Sequence, residues 1–281
     1  MARRAIRPTF LLFAESSRGD RTRGGFLLLA LLLAVLPACR SAPSPEAPRP
    51  VPEPEPVEVV EAAIEPVAPE VVELLRMEDS RTLDDSAVAE LAVSVSAAVR
   101  LKLARALGRI GDPAAFTVLD GLARDADPEV RREAAWAARA FEARGASLAT
   151  AALDDTIPSV VEAALRSLAQ IGDLASIPEL ASRVERLSPE LAAVLLTDLF
   201  RFESDAAVDL ARRFSESSDR RLREAAVYAL GRAAREAGRP ALLAALGDPS
   251  TWARSWAVRG LGRIGDPGDL EAVLQLIEDP G

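Results

Sequence analysis

Hydrophobic positions recur along most of this chain with a period of about 31 residues. In the stretch VRLKLARALGRI, which starts at Val99, apolar side chains at positions 0, +4, +7, +8 and +11 fall on one face of an α-helix. Later stretches repeat this face. The aligned first positions, or anchors, are Val99, Val130, Val160, Leu191, Leu222 and Ala253, separated by 30 or 31 residues. Such a fixed period is typical of a solenoid built from stacked helix pairs.

Each unit predicts a second helix after a short break. In the first unit this helix is PAAFTVLDGLARD, with apolar side chains at Phe116, Leu119 and Leu122. The upstream segments EVVELLRM and DDSAVAELAV, which carry Val88 and Leu91, predict one more degenerate pair. Because a single pair cannot bury its apolar stripe alone, the pairs must stack on their neighbours. The predicted fold class is therefore an all-α solenoid of about six to seven helix pairs.

The seven residues LGRIGDP occur at 107–113 and again at 261–267, and Gly-Asp recurs at 172–173. A phosphate-binding loop is one interpretation, but neither copy continues into the Gly-Lys-Ser/Thr of a P-loop. The favoured interpretation is a turn. Glycine ends the first helix, aspartate accepts hydrogen bonds from the free amides that follow, and proline suits the first helical position. The residues assigned to these turns are Gly111, Asp112, Pro113, Gly172, Asp173, Gly265, Asp266 and Pro267.

A polar residue followed by proline precedes three of the predicted first helices. The pairs are Asp127-Pro128, Ser188-Pro189 and Asp248-Pro249. Aspartate and serine are good N-terminal caps, and proline suits the first turn, so each pair is expected to start a helix.

Arginine recurs on the first helices at two register positions. It directly follows the anchor at Arg100, Arg131, Arg223 and Arg254, and it stands ten residues after the anchor at Arg109, Arg201, Arg232 and Arg263. An anion-binding stripe would use such side chains, with Arg100 and Arg131 as candidate partner contacts. The favoured alternative is a ladder of hydrogen bonds and ion pairs between repeats, supplemented by the attraction of cations to helix C-termini.

Aromatic residues make up only 4 % of the chain, so those on the first helices are notable. Trp136 and Tyr228 share the register position six residues after the anchor, and Trp252 and Trp256 lie four residues apart on the last first helix. Aromatic side chains at these positions are candidate anchors for a partner. The other interpretation, which we favour, is that they fill seams between repeats.

The amino-acid composition favours helices and removes several kinds of chemistry. Hydrophobic residues make up 49 % of the chain and are mostly Ala, Leu and Val, which suits closely packed helices. The chain has no histidine and a single cysteine. The chain therefore lacks the residues needed for a Ser-His-Asp triad, a Cys-His nucleophile pair, a histidine-ligated metal site or an internal disulfide. We therefore expect no catalytic residues, no metal and no cofactor.

The repeat unit resembles the short HEAT repeats first named for phycobilin lyases, which read D-P-x-V-R-x-x-A-A-x-A-L-G-x-I-G-D. Residues 127–135 (DPEVRREAA) match the first half of this pattern, and residues 261–266 (LGRIGD) match the second. The unit at Leu191 lacks the arginine and the Gly-Asp, and the unit at Leu222 replaces the turn with AAREAGRP. The resemblance implies a right-handed, armadillo-like superhelix with a concave and a convex face.

The same resemblance raises an enzymatic alternative, since HEAT-like proteins include bilin lyases and di-iron deoxyhypusine hydroxylases. The hydroxylases need histidine–glutamate pairs, which a chain without histidine cannot supply. A lyase-type enzyme or an enzyme-accessory protein is the less favoured possibility, and we expect a protein that is not an enzyme.

Residues 1–38 have the pattern of a bacterial export signal. Arginines precede the apolar run FLLLALLLAVL at 26–36, which is too short to span a bilayer. Leu36-Pro37-Ala38-Cys39 resembles the lipobox of bacterial lipoproteins, whose cysteine is diacylated and becomes the first mature residue. Lipidation of Cys39 is favoured over an ordinary secretory signal or an uncleaved anchor. By the same resemblance, Arg40 implies the periplasmic side of the outer membrane as the destination.

Residues 39–70 follow as a Pro/Glu-rich tether. Alternating prolines at 48–56 favour an extended polyproline-II spacer, with a proline-rich ligand for a partner as the alternative. Residues 71–281 form the HEAT-like domain. The whole chain carries a net charge of −9, and removal of residues 1–38, whose net charge is +4, leaves −13. A chain this acidic is not expected to bind nucleic acid by charge.

Together these patterns predict a lipid-anchored scaffold or adaptor in the bacterial cell envelope. The repeat surface would bind an unknown protein or peptide partner, and the lipid would hold the protein at the membrane. A structural subunit of an envelope or secretion assembly is the alternative. The last repeat shows no polar capping helix, so self-association through that end of the solenoid is a further expectation.

Overall fold

The computed structural model describes residues 68–278, and the side chains of residues 68–275. The predicted signal peptide, Cys39 and the tether up to residue 67 lie outside this range. The described part contains fourteen α-helices and no strand. The all-α solenoid predicted from the 31-residue period is confirmed.

The helices form seven consecutive pairs. The first helices are α1 (Pro69–Ser80), α3 (Ala97–Ile110), α5 (Pro128–Ala137), α7 (Pro158–Ile171), α9 (Pro189–Asp198), α11 (Arg220–Ala233) and α13 (Thr251–Ile264). The second helices are α2 (Asp85–Ala92), α4 (Phe116–Leu122), α6 (Glu142–Ala152), α8 (Ile177–Arg183), α10 (Asp205–Arg212), α12 (Arg239–Ala244) and α14 (Leu270–Glu278). Short 3₁₀ turns join or extend several of them.

The predicted apolar faces form one continuous core between the two layers of helices. On α3, Val99, Leu103 and Leu107 are buried, and on α4, Leu119 and Leu122 are buried beside them. The same register positions are buried in the later pairs, so each repeat completes the core of its neighbours. Burial of each leucine contributes about 2–3 kcal/mol relative to exposure.

The first helices pack directly on one another, and small residues allow this close approach. A Cβ atom added at Gly108 of α3 would lie 2.6 Å from the Cβ of Ala137 in α5. On α13, a Cβ atom added at Gly260 would lie 2.8 Å from the Cα of Gly231 in α11. The abundance of alanine and glycine is thus explained by backbone contact within the first-helix layer, since larger residues would force the helices apart.

The Gly-Asp-Pro residues form the turns between paired helices. Gly111, Gly172 and Gly265 have φ values of 71°, 69° and 78° and end α3, α7 and α13. The carboxylates of the following Asp112, Asp173 and Asp266 accept the N–H groups of Ala114, Ala175 and Gly268. Pro113 and Pro267 each begin a short 3₁₀ turn, which leads into the second helix. These residues therefore connect helices.

Two of the three predicted helix starts are as expected, and one is wrong. The Asp127 carboxylate caps α5, and the Ser188 hydroxyl caps α9. Helix α13 begins two residues later than Asp248-Pro249 predicts, because the hydroxyl of Ser250 provides its cap. The carboxylate of Asp248 is buried and engaged by Arg223 of the preceding repeat.

Candidate functional site: an aromatic and arginine surface on the first helices

The arginines that follow the anchors form a ladder between successive loops. Arg131 on α5 donates from Nε to the Asp155 carboxylate at 2.7 Å, and from Nη1 to the backbone carbonyl of Asp125 at 2.9 Å. Arg100 makes the same two kinds of bond, to Asp125 and to the carbonyl of Ser94. Each guanidinium therefore ties the loop before its own helix to the loop before the next first helix.

The ladder continues near the end of the described chain. Arg223 donates to the Asp248 carboxylate at 2.7 Å and to the carbonyl of Ser217. Arg254 donates to the carbonyl of Asp248. Hydrogen bonding to Arg100 and Arg131 lowers the pKa of Asp125 and Asp155, respectively. The ladder accounts for these arginines by contacts within the solenoid, which is the interpretation favoured from the sequence.

Three of the four arginines ten residues after the anchors contact the preceding repeat, whereas Arg201 pairs with Asp198 of its own repeat. Arg109 of α3 pairs with Glu78 of α1. The Arg232 guanidinium lies over the ring of Phe200, 4.6 Å from its centroid, and Arg263 donates to the carbonyl of Gly231 at 3.2 Å. These side chains are exposed to solvent on the first-helix layer, near the C-termini of the helices.

Aromatic rings from three consecutive repeats meet on this layer. The ring centroids of Tyr228 and Trp256 are 4.6 Å apart, in an edge-to-face arrangement. Tyr228 also stacks on Trp252 at 5.7 Å and meets the edge of Phe200 at 6.0 Å. Phe200 follows α9, Tyr228 is on α11, and both tryptophans are on α13. We call these four side chains the aromatic surface.

The aromatic surface both fills seams and faces solvent. Phe200, Tyr228 and Trp256 are half-buried across the α9/α11 and α11/α13 seams, and Trp252 keeps 45 % of its surface exposed. The two interpretations left open by the sequence are therefore compatible. Rings held in place by their neighbours lose little freedom when a partner covers them, as is typical of binding anchors.

Exposed arginines surround this surface. Arg259 lies over the Trp256 ring at 4.9 Å, and both Arg201 and Arg232 lie over Phe200. Among the described residues, no carboxylate lies within ion-pairing distance of Arg232, Arg259 or Arg263. We call these three the site arginines. Sequence reasoning did not single out Phe200 or Arg259. Phe200 breaks the register, since other repeats carry Gly, Ala or Arg at that position.

In two earlier repeats, the arginine at the register position of Arg259 is neutralised by an internal ion pair. Arg105, which matches Arg259 in register, pairs with Glu133 at 3.1 Å, and Arg166 pairs with Glu162 at 3.0 Å. Trp136 lies here, away from the aromatic surface, and its ring is covered by Arg139 at 4.1 Å. Trp136 and the two ion pairs border a shallow depression of about 530 Å³ with mixed charge. The structure thus does not bring Trp136 together with the other predicted aromatic residues.

Between residues 68 and 278, no group of three His, Cys, Asp or Glu side chains could hold a metal ion. In that same range, no helix has the length and apolar character needed to cross a membrane.

The fold and this surface define a helical-repeat protein, and comparison with known proteins identifies the family. A model for HEAT repeats matches residues 85–149, 119–197 and 205–281. These matches cover most of the chain, and the chain belongs to the HEAT-repeat family. HEAT solenoids provide extended surfaces for protein or peptide partners. The predicted membership is confirmed.

Three solved structures that are similar to this chain share little sequence identity with it. The X-ray structure of YibA from Escherichia coli shares 16 % identity, with a TM-score of 0.49 over 75 % of this chain and 81 % of that chain. An engineered protein shares 21 % identity, with a TM-score of 0.47 over 65 % and 97 %. The complex of CpcE and CpcF of phycocyanin lyase from Nostoc sp. PCC7120 shares 17 % identity, with a TM-score of 0.41 over 79 % and 97 %. No curated protein sequence matches the chain.

Proposed function

We propose that this protein is a non-catalytic scaffold of the bacterial cell envelope, anchored by lipid at Cys39. Its first-helix layer binds a protein or peptide partner. The observation that carries the binding role is the aromatic surface, which presents ordered rings and an exposed tryptophan beside arginines that no described carboxylate neutralises. Tryptophan, tyrosine and arginine are the residues that most often dominate binding energy at protein interfaces.

The packing of the solenoid supports this choice of face. The first helices contact one another backbone to backbone, whereas the second helices of neighbouring repeats make far fewer contacts. An array of two layers curves toward the more closely packed one. The first-helix layer then lines the concave side, where one partner can contact several repeats at once.

The lipid anchor rests on the sequence alone. The lipobox-like Leu36-Pro37-Ala38-Cys39 follows a short apolar run, and residues 39–70 provide a proline-rich spacer before α1. Each buried methylene of an acyl chain contributes about 0.8 kcal/mol to membrane binding, so several chains hold a protein firmly. The spacer would let the solenoid reach a partner away from the bilayer.

Replacement of the cysteine tests the anchor. We expect wild-type protein to incorporate radiolabelled palmitate and to stay with membranes after an alkaline wash. The Cys39→Ser variant should take up no label and be released. A Ser41→Ala variant, two residues downstream, serves as the matched control and should behave as wild type. Sedimentation of unlabelled Cys39→Ser protein with washed membranes would refute the lipid anchor.

Site-specific photo-crosslinking in native cells tests the scaffold role. A benzoylphenylalanine introduced at Trp252 lies on the aromatic surface, and one at Leu174, which is also exposed, lies in the turn before α8. We expect one discrete adduct in stoichiometric amount from position 252 and none from position 174. No adduct at position 252, or the same adducts at both positions, would count against a partner on the first-helix layer.

A further inference from the structure

We propose that the aromatic surface and the site arginines form a binding site for an acidic, extended peptide segment of another protein. The proposal deepens the scaffold function and rests on it. The site combines two features that no other described part of the first-helix layer combines: adjoining aromatic rings and several arginines without acidic partners.

The positive charge of the site arginines indicates the class of partner. The whole chain carries a net charge of −9, and most arginines on the first helices are paired with carboxylates of the same chain. No described carboxylate pairs with the site arginines, although they stand six or ten residues after their anchors, where the arginines of other repeats are paired. All three, Arg232, Arg259 and Arg263, are exposed. Guanidinium groups bind carboxylates through directional, paired hydrogen bonds. The complementary ligand therefore carries several carboxylates.

The spacing of the aromatic rings favours a peptide ligand with an extended backbone. The centroids run from Phe200 to Tyr228 over 6.0 Å and from Tyr228 to Trp252 over 5.7 Å. This span of at most about 12 Å matches roughly four residues of an extended chain at about 3.1 Å per residue. Aromatic surfaces dock proline-containing segments in this conformation, because the segment is already ordered before binding. Alternating acidic and proline residues would place apolar rings on the aromatic surface and carboxylates toward the site arginines.

Attachment to an anionic membrane surface is the competing use of tryptophan and arginine, and the geometry disfavours it. Three of the four rings are half-buried between helices and cannot insert into a bilayer. Only Trp252 is largely exposed, at 45 %. Three arginines on an otherwise acidic chain would also give weak attraction to a lipid surface.

Binding of synthetic peptides to the purified full-length protein in a neutral detergent tests the proposal. The probes are fluorescein-labelled peptides of six Glu-Pro, Gln-Pro or Lys-Pro repeats, measured by fluorescence polarisation. Because an exposed ion pair changes affinity by about 1.4- to 5-fold, three pairs predict that the Glu-Pro peptide binds about 10-fold more tightly than the Gln-Pro peptide. Binding of the Lys-Pro peptide should be weaker still, and the Glu-Pro affinity should fall as salt is raised.

Matched variants locate the site. Arg259→Gln and Trp252→Ser should each weaken Glu-Pro binding by at least about 3-fold. Arg166→Gln, at the register position equivalent to Arg259 in a repeat where the arginine is paired, should leave binding unchanged. Circular dichroism of each variant checks that the helices are retained. All three substitutions are at exposed side chains, so the fold should tolerate them.

Three results would overturn the proposal. They are equal binding of the Glu-Pro and Gln-Pro peptides, no binding of either peptide, and loss of binding in Arg166→Gln as well. Binding to phosphatidylglycerol vesicles that depends on Arg259 and Trp252 when no peptide binds would also overturn it, since it would assign the surface to lipid. The photo-crosslinking experiment is independent of these results. A discrete adduct at position 252 without Glu-Pro binding would reject the acidic-peptide site while leaving the scaffold function in place.

Discussion

Substitution of Arg131 by methionine gives a quantitative test of the ladder. The Arg131 guanidinium donates to both oxygens of Asp155, at 2.7 Å and 3.2 Å, and to the carbonyls of Asp125 and Ala126, at 2.9 Å and 3.1 Å. Methionine keeps most of the apolar stem but removes all four hydrogen bonds and leaves the largely buried Asp155 carboxylate without its cation.

The expected cost is about 2–4 kcal/mol of unfolding free energy. Loss of one partner from a fully buried ion pair costs about 3–5 kcal/mol, and the residual exposure of this pair lowers the figure. Urea denaturation followed by circular dichroism at 222 nm measures it. Arg132→Met is the control, because the neighbouring Arg132 pairs with the exposed Glu129 and should cost less than about 1 kcal/mol.

A double-mutant cycle with Asp155→Asn isolates the interaction of the pair. We expect a coupling energy between Arg131 and Asp155 of at least about 1 kcal/mol near neutral pH. Arg131 lowers the pKa of Asp155 in the folded state. The coupling is therefore fully present above the unfolded pKa of about 3.9 and is lost as the pH falls below it, through the folded value. A cost below about 1 kcal/mol for Arg131→Met, or a coupling that does not weaken in acid, would refute the reasoning.

Two further predictions concern packing within the first-helix layer. Ala135→Asp places an unpaired charge at a fully buried position of α5 and should lower the unfolding free energy by more than about 3 kcal/mol, so a melting temperature equal to wild type would contradict the assigned register. Gly231→Ala brings a Cβ atom to 2.6 Å from the Trp256 carbonyl and should cost about 1–3 kcal/mol and alter tryptophan fluorescence. Gly262→Ala is the control, because its Cβ atom meets open space within a helix, and it should stabilise the protein by about 0.5–1 kcal/mol. Equal effects of the two glycine substitutions would argue against the close contact between α11 and α13.

Local patterns in the sequence predict most of the fold. The apolar face of α3 follows from the spacing of Val99, Leu103 and Leu107, which an α-helix places together. The turn after α3 follows from Gly111, which adopts a left-handed conformation, and from Asp112, which caps the residues after it. These features depend on interactions over a few residues, so a single repeat contains the information needed.

The candidate site depends on contacts between residues 24–32 positions apart, and its composition could be predicted only in part. The sequence identified Tyr228, Trp252 and Trp256, but not their meeting with Phe200 across a seam. The neighbouring repeat determines which arginines are neutralised. Glu133 forms an ion pair with Arg105, whereas no described carboxylate pairs with Arg259. Asp248 lies five residues before its anchor, as Asp125 and Asp155 do, and it likewise pairs with the arginine of the preceding repeat and does not start a helix.

The ladder is interrupted in the middle of the solenoid, and the interruption has a mechanical consequence. The repeats anchored at Val160 and Leu191 carry Val161 and Ala192 where the others carry the ladder arginine. No ladder arginine therefore connects the loop around residue 155 to the loop around 187, or that loop to the one around 217. Ladder arginines do connect the loops before residue 155 and those after residue 217. In the interrupted section the repeats are joined instead by the ion pairs Arg183–Asp154 and Arg213–Glu185, whose exposed carboxylates make them weaker than the largely buried arginine contacts of the ladder. We therefore expect the solenoid to bend more easily at α7 and α9 than in the repeats on either side.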